Sequence, residues 1–431
     1  MTRTVRLGLL GCGVVGSATV SILAEHASEL RSRTGAAIEV ARIAVRDPAK
    51  ERGLDVPASV WTHDPYAIVA DPWIDVVIEL IGGLQPALPL LLEAVRNKKH
   101  VVTANKELLA TSGRELMQEA ESNGVDVLFE AAVAGGIPII RPIRESLAGD
   151  RVTRVLGIVN GTTNFILTRM SEMGESFDEA LAQAVRLGYA EADPTADVEG
   201  LDAAAKIAIL ASLAFDAHVV ANDVVCEGIT GITRADIAAA HHLGYEVKLL
   251  AVAETSEGQI SARVHPAMIP RTHPLASVRD VYNAVFIQGE QSGDLMFFGR
   301  GAGGAPTAAA VVGDVVEIAR NVAAGARSPG YMGFHSDAAI RPQGDMLVRY
   351  YIVLSVADQP GVLAAVAGEF ARNDVSIASV RQEGTGAEAT LMLITHRATE
   401  ASHRATLEAL RGLAEVDAIE STIRVEGTQE T

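Results

Sequence analysis

Cysteine is nearly absent: 431 residues hold only Cys12 and Cys226, too few for a disulfide framework and without the paired spacing of a zinc site. Positive charge is also short. Thirty-six Lys and Arg face 54 Asp and Glu, a formal charge of −18; this repels polyanions, and no local basic run offsets it, so no nucleic-acid partner is expected. No apolar stretch is long enough for a membrane span, and the N-terminus lacks a basic-plus-apolar leader, so the expectation is a cytoplasmic chain with no membrane partner.

What is present is globular: 48% hydrophobic residues, 21% charged and 39 glycines, over a length that suggests about three domains. The first third alternates β-branched runs (Val5 to Leu10, Ile38 to Val45, Val76 to Leu80, His100 to Thr103, Val125 to Phe129) with helical patterns such as Leu88, Leu91, Leu92 and Val95. That rhythm predicts an α/β, Rossmann-type parallel sheet over 1–135. Residues 136–305 read as an α+β catalytic and dimerisation domain. A helix over 306–322 carries Val311, Val315 and Ile318 in one stripe and is expected to return to the first domain. Pro and Gly thicken between Ala323 and Gly344, so 323–348 reads as a linker. The remainder, 349–426, has the order βαββαβ of a ferredoxin-like unit.

Gly11, Gly13 and Gly16 lie in GCGVVG, directly after a buried-looking strand and before a helix opened by Val14 and Val15. In that context the glycines allow a tight turn and close backbone approach, and the helix N-terminus offers N–H groups to a pyrophosphate. The second strand runs out into Val45-Arg46-Asp47, with Lys50 and Arg52 beyond. Arg46 at the strand end would pair with a 2′-phosphate, which favours NADP over NAD; Asp47 one residue later would favour the reverse.

The segment GYAEADPTADVEGLDAAAKIAIL carries Glu191, Asp193, Asp197, Glu199, Asp202 and Lys206 before it becomes an alanine-rich helix. Asp202 and Lys206 are four apart and share a helix face. From spacing alone, Lys206 is equally a snorkelling salt-bridge partner or a functional ammonium in a cleft. His265 and His273 each precede a proline, where capping and turn roles are commoner than metal ligation.

This segment, NGTTNFIL at Asn160 to Leu167, VTANKELLA around Lys106, FEAAVAGGIPII from Phe129, RVHPAMIP from Arg263 and GRGAGGAPTAAAVVGD from Gly299 resemble, in the same order, the signatures of homoserine dehydrogenases. The resemblance spans residues 5 to about 320. It implies NAD(P)H-dependent interconversion of aspartate semialdehyde and homoserine. Lys206 then matches the general acid, Lys106 a second active-site lysine near the nicotinamide, and Asp202 the group that orients Lys206. Glu191, Asp197 and Thr162 match the substrate site, and Gly303 joins the cofactor contacts. It further implies a monovalent cation, sodium by analogy, at Glu130, Val133, Gly135 and Ile137. An acylating semialdehyde dehydrogenase would also join a Rossmann domain to an α/β domain but needs a nucleophilic cysteine, which neither Cys12 nor Cys226 supplies.

DQPGVL at Asp358 to Leu363 resembles the ligand loop of ACT domains, which bind amino acids. Gly361 would let N–H groups near Val362 approach a carboxylate, and Asp358 would accept from an ammonium. By resemblance the ligand is threonine, bound between chains of a homodimer or homotetramer.

Overall fold

The computed structural model describes residues 3–328, 334, 336–384 and 389–427. Six parallel strands build the N-terminal sheet: β1 (Arg3–Leu10), β2 (Ala36–Ala44), β3 (Trp61–Thr62), β4 (Val76–Glu79), β5 (His100–Thr103) and β6 (Val127–Leu128), in the order β3-β2-β1-β4-β5-β6. Val5, Leu7, Val76, Val77, Val101 and Val102 are all fully buried, as a parallel sheet covered on both faces requires. Leu10 pairs with Ala44 on one side and Glu79 on the other. The strands' C-terminal ends are therefore level, and strand order reverses beside β1, which opens a crevice there. β6 is shorter than the expected 125–129 because the chain turns at Phe129 (φ −153, ψ 34) into a 3-10 turn.

The return helix exists and is longer than expected, Gly304–Ala324. It packs on the helix Val14–Glu25 that follows the glycine loop.

A second sheet follows, from β7 (Val152–Ile158), β8 (Val225–Cys226), β9 (Tyr245–Ser256), β10 (Gln259–Pro270), β11 (Tyr282–Gly289) and β12 (Gly293–Arg300), in the order β12-β11-β7-β9-β10 with β8 also on β10. The helices Gly161–Met173 and Leu201–Ala214 pack on it. The run Ile207 to Ala211 is buried against it, so this helix is apolar nearly all round apart from its first turns.

The C-terminal unit contributes β13 (Leu347–Val348), β14 (Tyr350–Val356), β15 (Ile377–Glu383), β16 (Ala389–Thr395), β17 (Ala398–Thr399) and β18 (Val416–Val425). Its order β18-β14-β16-β15, with helices Val362–Arg372 and Glu400–Arg411, is ferredoxin-like. It does not stand apart. β18 pairs in parallel with β10 through Ala267↔Arg424 and Met268↔Val425, so the strands of the second sheet and of the C-terminal unit share one sheet.

Part of the stretch read as a linker, 329–333 and 335, lies outside the described residues. The rest is a strap packed on the core. Phe334 is buried against Gly113, with Phe129 edge-on at 6.2 Å. Arg114 donates to the carbonyls of Phe334 (2.9 Å) and Ser336 (3.0 Å), and Ile260 N–H donates to Ala339 O (2.8 Å). Pro/Gly content reports local backbone freedom; the packing of one aromatic and the reach of one arginine are not in that signal.

Candidate active site

Gly11 and Gly16 of the first loop have steric reasons within the protein, and Gly13 has none. A Cβ on Gly11 (φ +98) would sit 2.8 Å from Leu80 O, and one on Gly16 would sit 2.8 Å from Gly11 O. A Cβ on Gly13 would meet nothing within 4 Å. The protein itself does not require glycine at that position, whereas a pyrophosphate approaching the backbone would. Val14 opens the following helix and is 77% exposed, and Gly13 gives that helix no side-chain cap. Gly303 (φ 123) begins the return helix, also without a side-chain cap. The two uncapped N-termini meet, since a Cβ on Gly304 would lie 2.7 Å from Val14 Cγ1. Two sets of unpaired N–H groups thus face one crevice, a setting that suits an anionic cofactor.

At the end of β2 the register question has a local answer. Asp47 folds back to accept from Ala49 N–H at 2.9 Å, while Arg46 is exposed with no hydrogen bond or ion pair among the described residues. Arg52 donates to Cys12 O (3.1 Å) and Asp47 O (3.0 Å) and lies over the Trp61 ring at 5.1 Å. It braces the glycine loop against this strand end.

Lys106 is the first residue of the helix Lys106–Asn123, whose N-cap Asn105 accepts from Leu108 N–H at 3.1 Å. A cation at a helix N-terminus opposes the dipole, so something else must hold it there. Asp202, in the first turn of the helix Leu201–Ala214, pairs with Lys106 through one carboxylate oxygen and with Lys206 Nζ through the other at 2.7 Å. Gly200 (φ +82) starts that helix so tightly that a Cβ would lie 2.9 Å from Val264 Cγ1. Lys206 Nζ also donates to Val159 O at 2.6 Å. Two of the three ammonium donors are then committed, and one remains.

The electrostatics follow from burial. Burial alone would raise the Asp202 carboxyl, but the two ammoniums outweigh it and hold it well below the usual carboxylate range. Burial pushes Lys206 below its ordinary value, helped by the charge of Lys106 and resisted by Asp202.

Asn160, within a quoted motif but not singled out as a site residue, ties this cluster together. Its amide donates to Asp197 Oδ1 (2.7 Å) and Asp202 Oδ2 (2.9 Å), while its oxygen caps the next helix at Thr163 N–H (2.8 Å). Thr162 donates to Tyr189 O at 2.7 Å and so fixes the start of the acidic segment. Glu191 is exposed, without a hydrogen bond among the described residues. The structure brings Lys106, Asp197, Asp202 and Lys206 into one connected network; Glu191 lies outside it. Glu79 went unnoticed altogether, because in sequence it is one acid inside the apolar run Val76 to Leu80; in the structure β4 ends on it.

The turn read as a cation site has Ala134 (φ 54) and Gly135 (φ 50) in the left-handed region, and a Cβ on Gly135 would lie 2.4 Å from Gly301 O. The Glu130 carboxylate is occupied by the N–H groups of Ile139 (2.6 Å), Ile140 (2.7 Å) and Arg141 (2.9 Å). Among the described residues no three His, Cys, Asp or Glu side chains gather as a metal site. In the C-terminal loop Gly361 has φ +101 and leaves its helix without a side-chain cap, and Asp358 accepts from Gln382 at 3.0 Å. His273 caps a turn by accepting from Leu275 N–H (3.2 Å), as expected; His265 instead is buried within β10 beside Glu426. A cavity of about 770 Å³ lies not here but between β7, β11 and the C-terminal unit, lined by Arg154, His273, Arg349, Arg397 and Glu426. It contains neither lysine of the network.

Among the described residues no helix is long and apolar enough to cross a membrane. Residues 138–316 match the family described as homoserine dehydrogenase, 11–130 its NAD-binding domain, and 350–415 the ACT domain. The chain is similar to homoserine dehydrogenases of Mycobacterium tuberculosis (51% identical, covering 99% of this chain and 98% of that one) and Corynebacterium glutamicum (48%, 98% and 96%). Among solved structures, a homoserine dehydrogenase from Thiobacillus denitrificans superposes with a TM-score of 0.91 at 41% identity, covering 99% of both chains. A hyperthermophilic archaeal homoserine dehydrogenase in complex with NADPH superposes at 0.63 and 29% identity, covering 73% of this chain and 97% of that one.

Proposed function

The chain belongs to the homoserine dehydrogenases, oxidoreductases dependent on a nicotinamide cofactor, and from that premise we propose which of its groups carry the reaction. The observation that supports the assignment best is the convergence of Lys106 and Lys206, from two domains, on the single buried carboxylate of Asp202. The Gly13 backbone would hold the pyrophosphate of a nicotinamide cofactor, which when bound would supply or accept hydride. Lys206 Nζ uses its remaining N–H to protonate the aldehyde oxygen of aspartate semialdehyde as the hydride reaches the carbon, and in reverse takes the proton from the homoserine hydroxyl. Burial lowers the cost of releasing that proton, and Asp202 keeps the ammonium oriented between turnovers. Lys106 adds a second positive charge beside the developing alkoxide. Glu191 and Asp197 receive the substrate ammonium, and Thr162 holds the acidic segment in place.

NADP is the preferred cofactor on this reading, because Arg46 is unengaged where Asp47 is spent on its own turn. A monovalent cation, sodium by family resemblance, would take main-chain carbonyl oxygens of Val133, Gly135 and Ile137, the Glu130 carboxylate being filled by N–H donors. Threonine is the effector of the ACT module, and the working enzyme is at least a dimer. The test is a direct assay: reduction of aspartate semialdehyde followed with NADPH and NADH in parallel, with and without threonine. No turnover with either cofactor would overturn the residue assignment. Equal kcat/KM for the two cofactors would overturn the role of Arg46.

A further inference from the structure

A carboxylate lies fully buried at the end of β4, outside the lysine network. Glu79 has zero exposure, and among the described residues no lysine, arginine or histidine pairs with it. A buried acid without a counter-ion is costly unless its lone pairs are filled. Here three donors fill them: Ile81 N–H at 2.7 Å and Gly82 N–H at 2.9 Å on one oxygen, and the Thr103 hydroxyl at 2.6 Å on the other.

These bonds close a ring. Thr103 Oγ1 accepts from Asn105 N–H at 3.0 Å, and the Asn105 amide donates to Gly83 O at 2.7 Å, which returns the path to the loop that Glu79 holds. That loop needs such a hold, because Gly82 (φ 79) and Gly83 (φ 71) are consecutive left-handed glycines with few intrinsic restraints. Two functional elements hang on the ring. Leu80 O is the surface against which Gly11 of the cofactor loop packs. Asn105 is the N-cap of the helix whose first residue is Lys106.

We propose that Glu79 is a positioning residue for hydride transfer: through Thr103 and Asn105 it fixes where Lys106 meets Asp202, and through Leu80 it fixes the depth of the cofactor loop. The inference rests on the assignment of Lys106 to the reaction. It explains why an acid rather than an apolar residue ends β4, since only an acceptor with two oxygens can take two main-chain donors and a hydroxyl together. Glu79→Gln shows the logic by atoms. The amide oxygen still serves Ile81 and Gly82, but its NH₂ then faces Thr103 Oγ1, which already accepts from Asn105, and the hydroxyl proton loses its acceptor.

The test is a double-mutant cycle between Glu79→Gln and Lys106→Ala, read as kcat, substrate KM and NADPH affinity by fluorescence titration. Expected is a fall in kcat of about tenfold in Glu79→Gln, since small misplacements of a reacting group cost that much or more, with substrate KM nearly unchanged. In the Lys106→Ala background the same change should cost kcat little further, because the lysine it positions is gone; its hold on the cofactor loop is read separately, as NADPH affinity. Thr103→Val should repeat the kcat loss and Thr103→Ser should restore it, and this pair carries the test if Glu79→Gln does not fold. An equal fall in both backgrounds, or a lowered melting temperature with unchanged kcat per active site, overturns the inference while leaving Lys106 in its role. Full kcat in Lys106→Ala overturns both readings, and only that result touches the proposed function.

Discussion

Two of the buried ion networks among the described residues look alike on paper and behave differently. In the cleft, two lysines share one aspartate. At the seam between β10 and β18, three arginines share two glutamates: Arg263 with Glu254 at 2.9 Å and Glu426 at 2.8 Å, Arg154 with Glu254 at 3.3 Å and with Glu426, and Arg397 with Glu254 at 3.2 Å. The seam's shifts run toward ionisation: the two carboxylates hold the Arg263 guanidinium above its ordinary value despite burial, and Arg154 and Arg263 hold Glu426 well below the carboxylate range despite burial. In the cleft, burial moves Lys206 the other way, toward neutrality. Arginine cannot release its proton in a protein and lysine can. On the proposed assignment, one network holds strands together and the other trades a proton.

The largest expected effect breaks the cleft side. Lys206→Ala and Lys206→Arg should each lower kcat on the order of 10²-fold or more, the arginine variant because it keeps the charge and loses the exchangeable proton. NADPH binding by titration should persist in both; normal turnover in Lys206→Arg would show that charge alone suffices.

On the seam side, Glu426→Gln should leave kcat within about twofold while reducing unfolding free energy by about 3 kcal/mol, as for a buried pair that loses one partner. Denaturant unfolding with a parallel activity assay measures both. An activity loss as large as that of Lys206→Ala would erase the distinction between the two networks.

The pH dependence separates them further. Lys206 must be protonated to act as acid, so kcat/KM for aldehyde reduction should fall as pH rises through its folded value, below the ordinary lysine value of 10.5, and oxidation should show the opposite limb. For Glu426 the folded value is depressed, so its contribution to stability is fully present above an unfolded carboxyl near 4.3 and is lost as pH falls toward the folded value. Melting temperatures taken from pH 7 downward should therefore converge for wild type and Glu426→Gln in acid. A constant gap between them would place the stabilisation elsewhere.

The smallest effect concerns a single exposed charge. Arg46→Asp should shift the NADPH to NADH ratio of kcat/KM by about tenfold, the worth of one charge-assisted hydrogen bond of about 1.5 kcal/mol. An unchanged ratio would mean that the 2′-phosphate lies away from the β2 end.

Much of this was legible in the residues. Strand β5 was expected over His100 to Thr103 and is found there; the glycine loop sits between β1 and its helix; Asp202 and Lys206 share a helix face as four-residue spacing requires. The spacing left Lys206 between a salt bridge and an active ammonium. The structure shows that the pair and the spare donor coexist, since Val159 O and Asp202 take two N–H groups and leave a third. Glu79 was invisible, because its partners are main-chain groups and a threonine hydroxyl that no sequence pattern marks.

By itself the sequence determined the periodicities, the glycine positions and hence the α/β and ferredoxin-like units, because these depend on local backbone sterics and on which side chains recur at 2.0 or 3.6 residues. It also determined, through long motifs, the family. Only the tertiary structure decided that Lys106 and Lys206, 100 positions apart, share one carboxylate. The same holds for the apparent linker, a strap whose Phe334 fills the space at Gly113, and for β18, which joins the catalytic sheet instead of leaving a separate module. Each is a contact between groups distant in the chain, selected by burial and by the pairing of charge out of water, and neither quantity exists until the chain has folded.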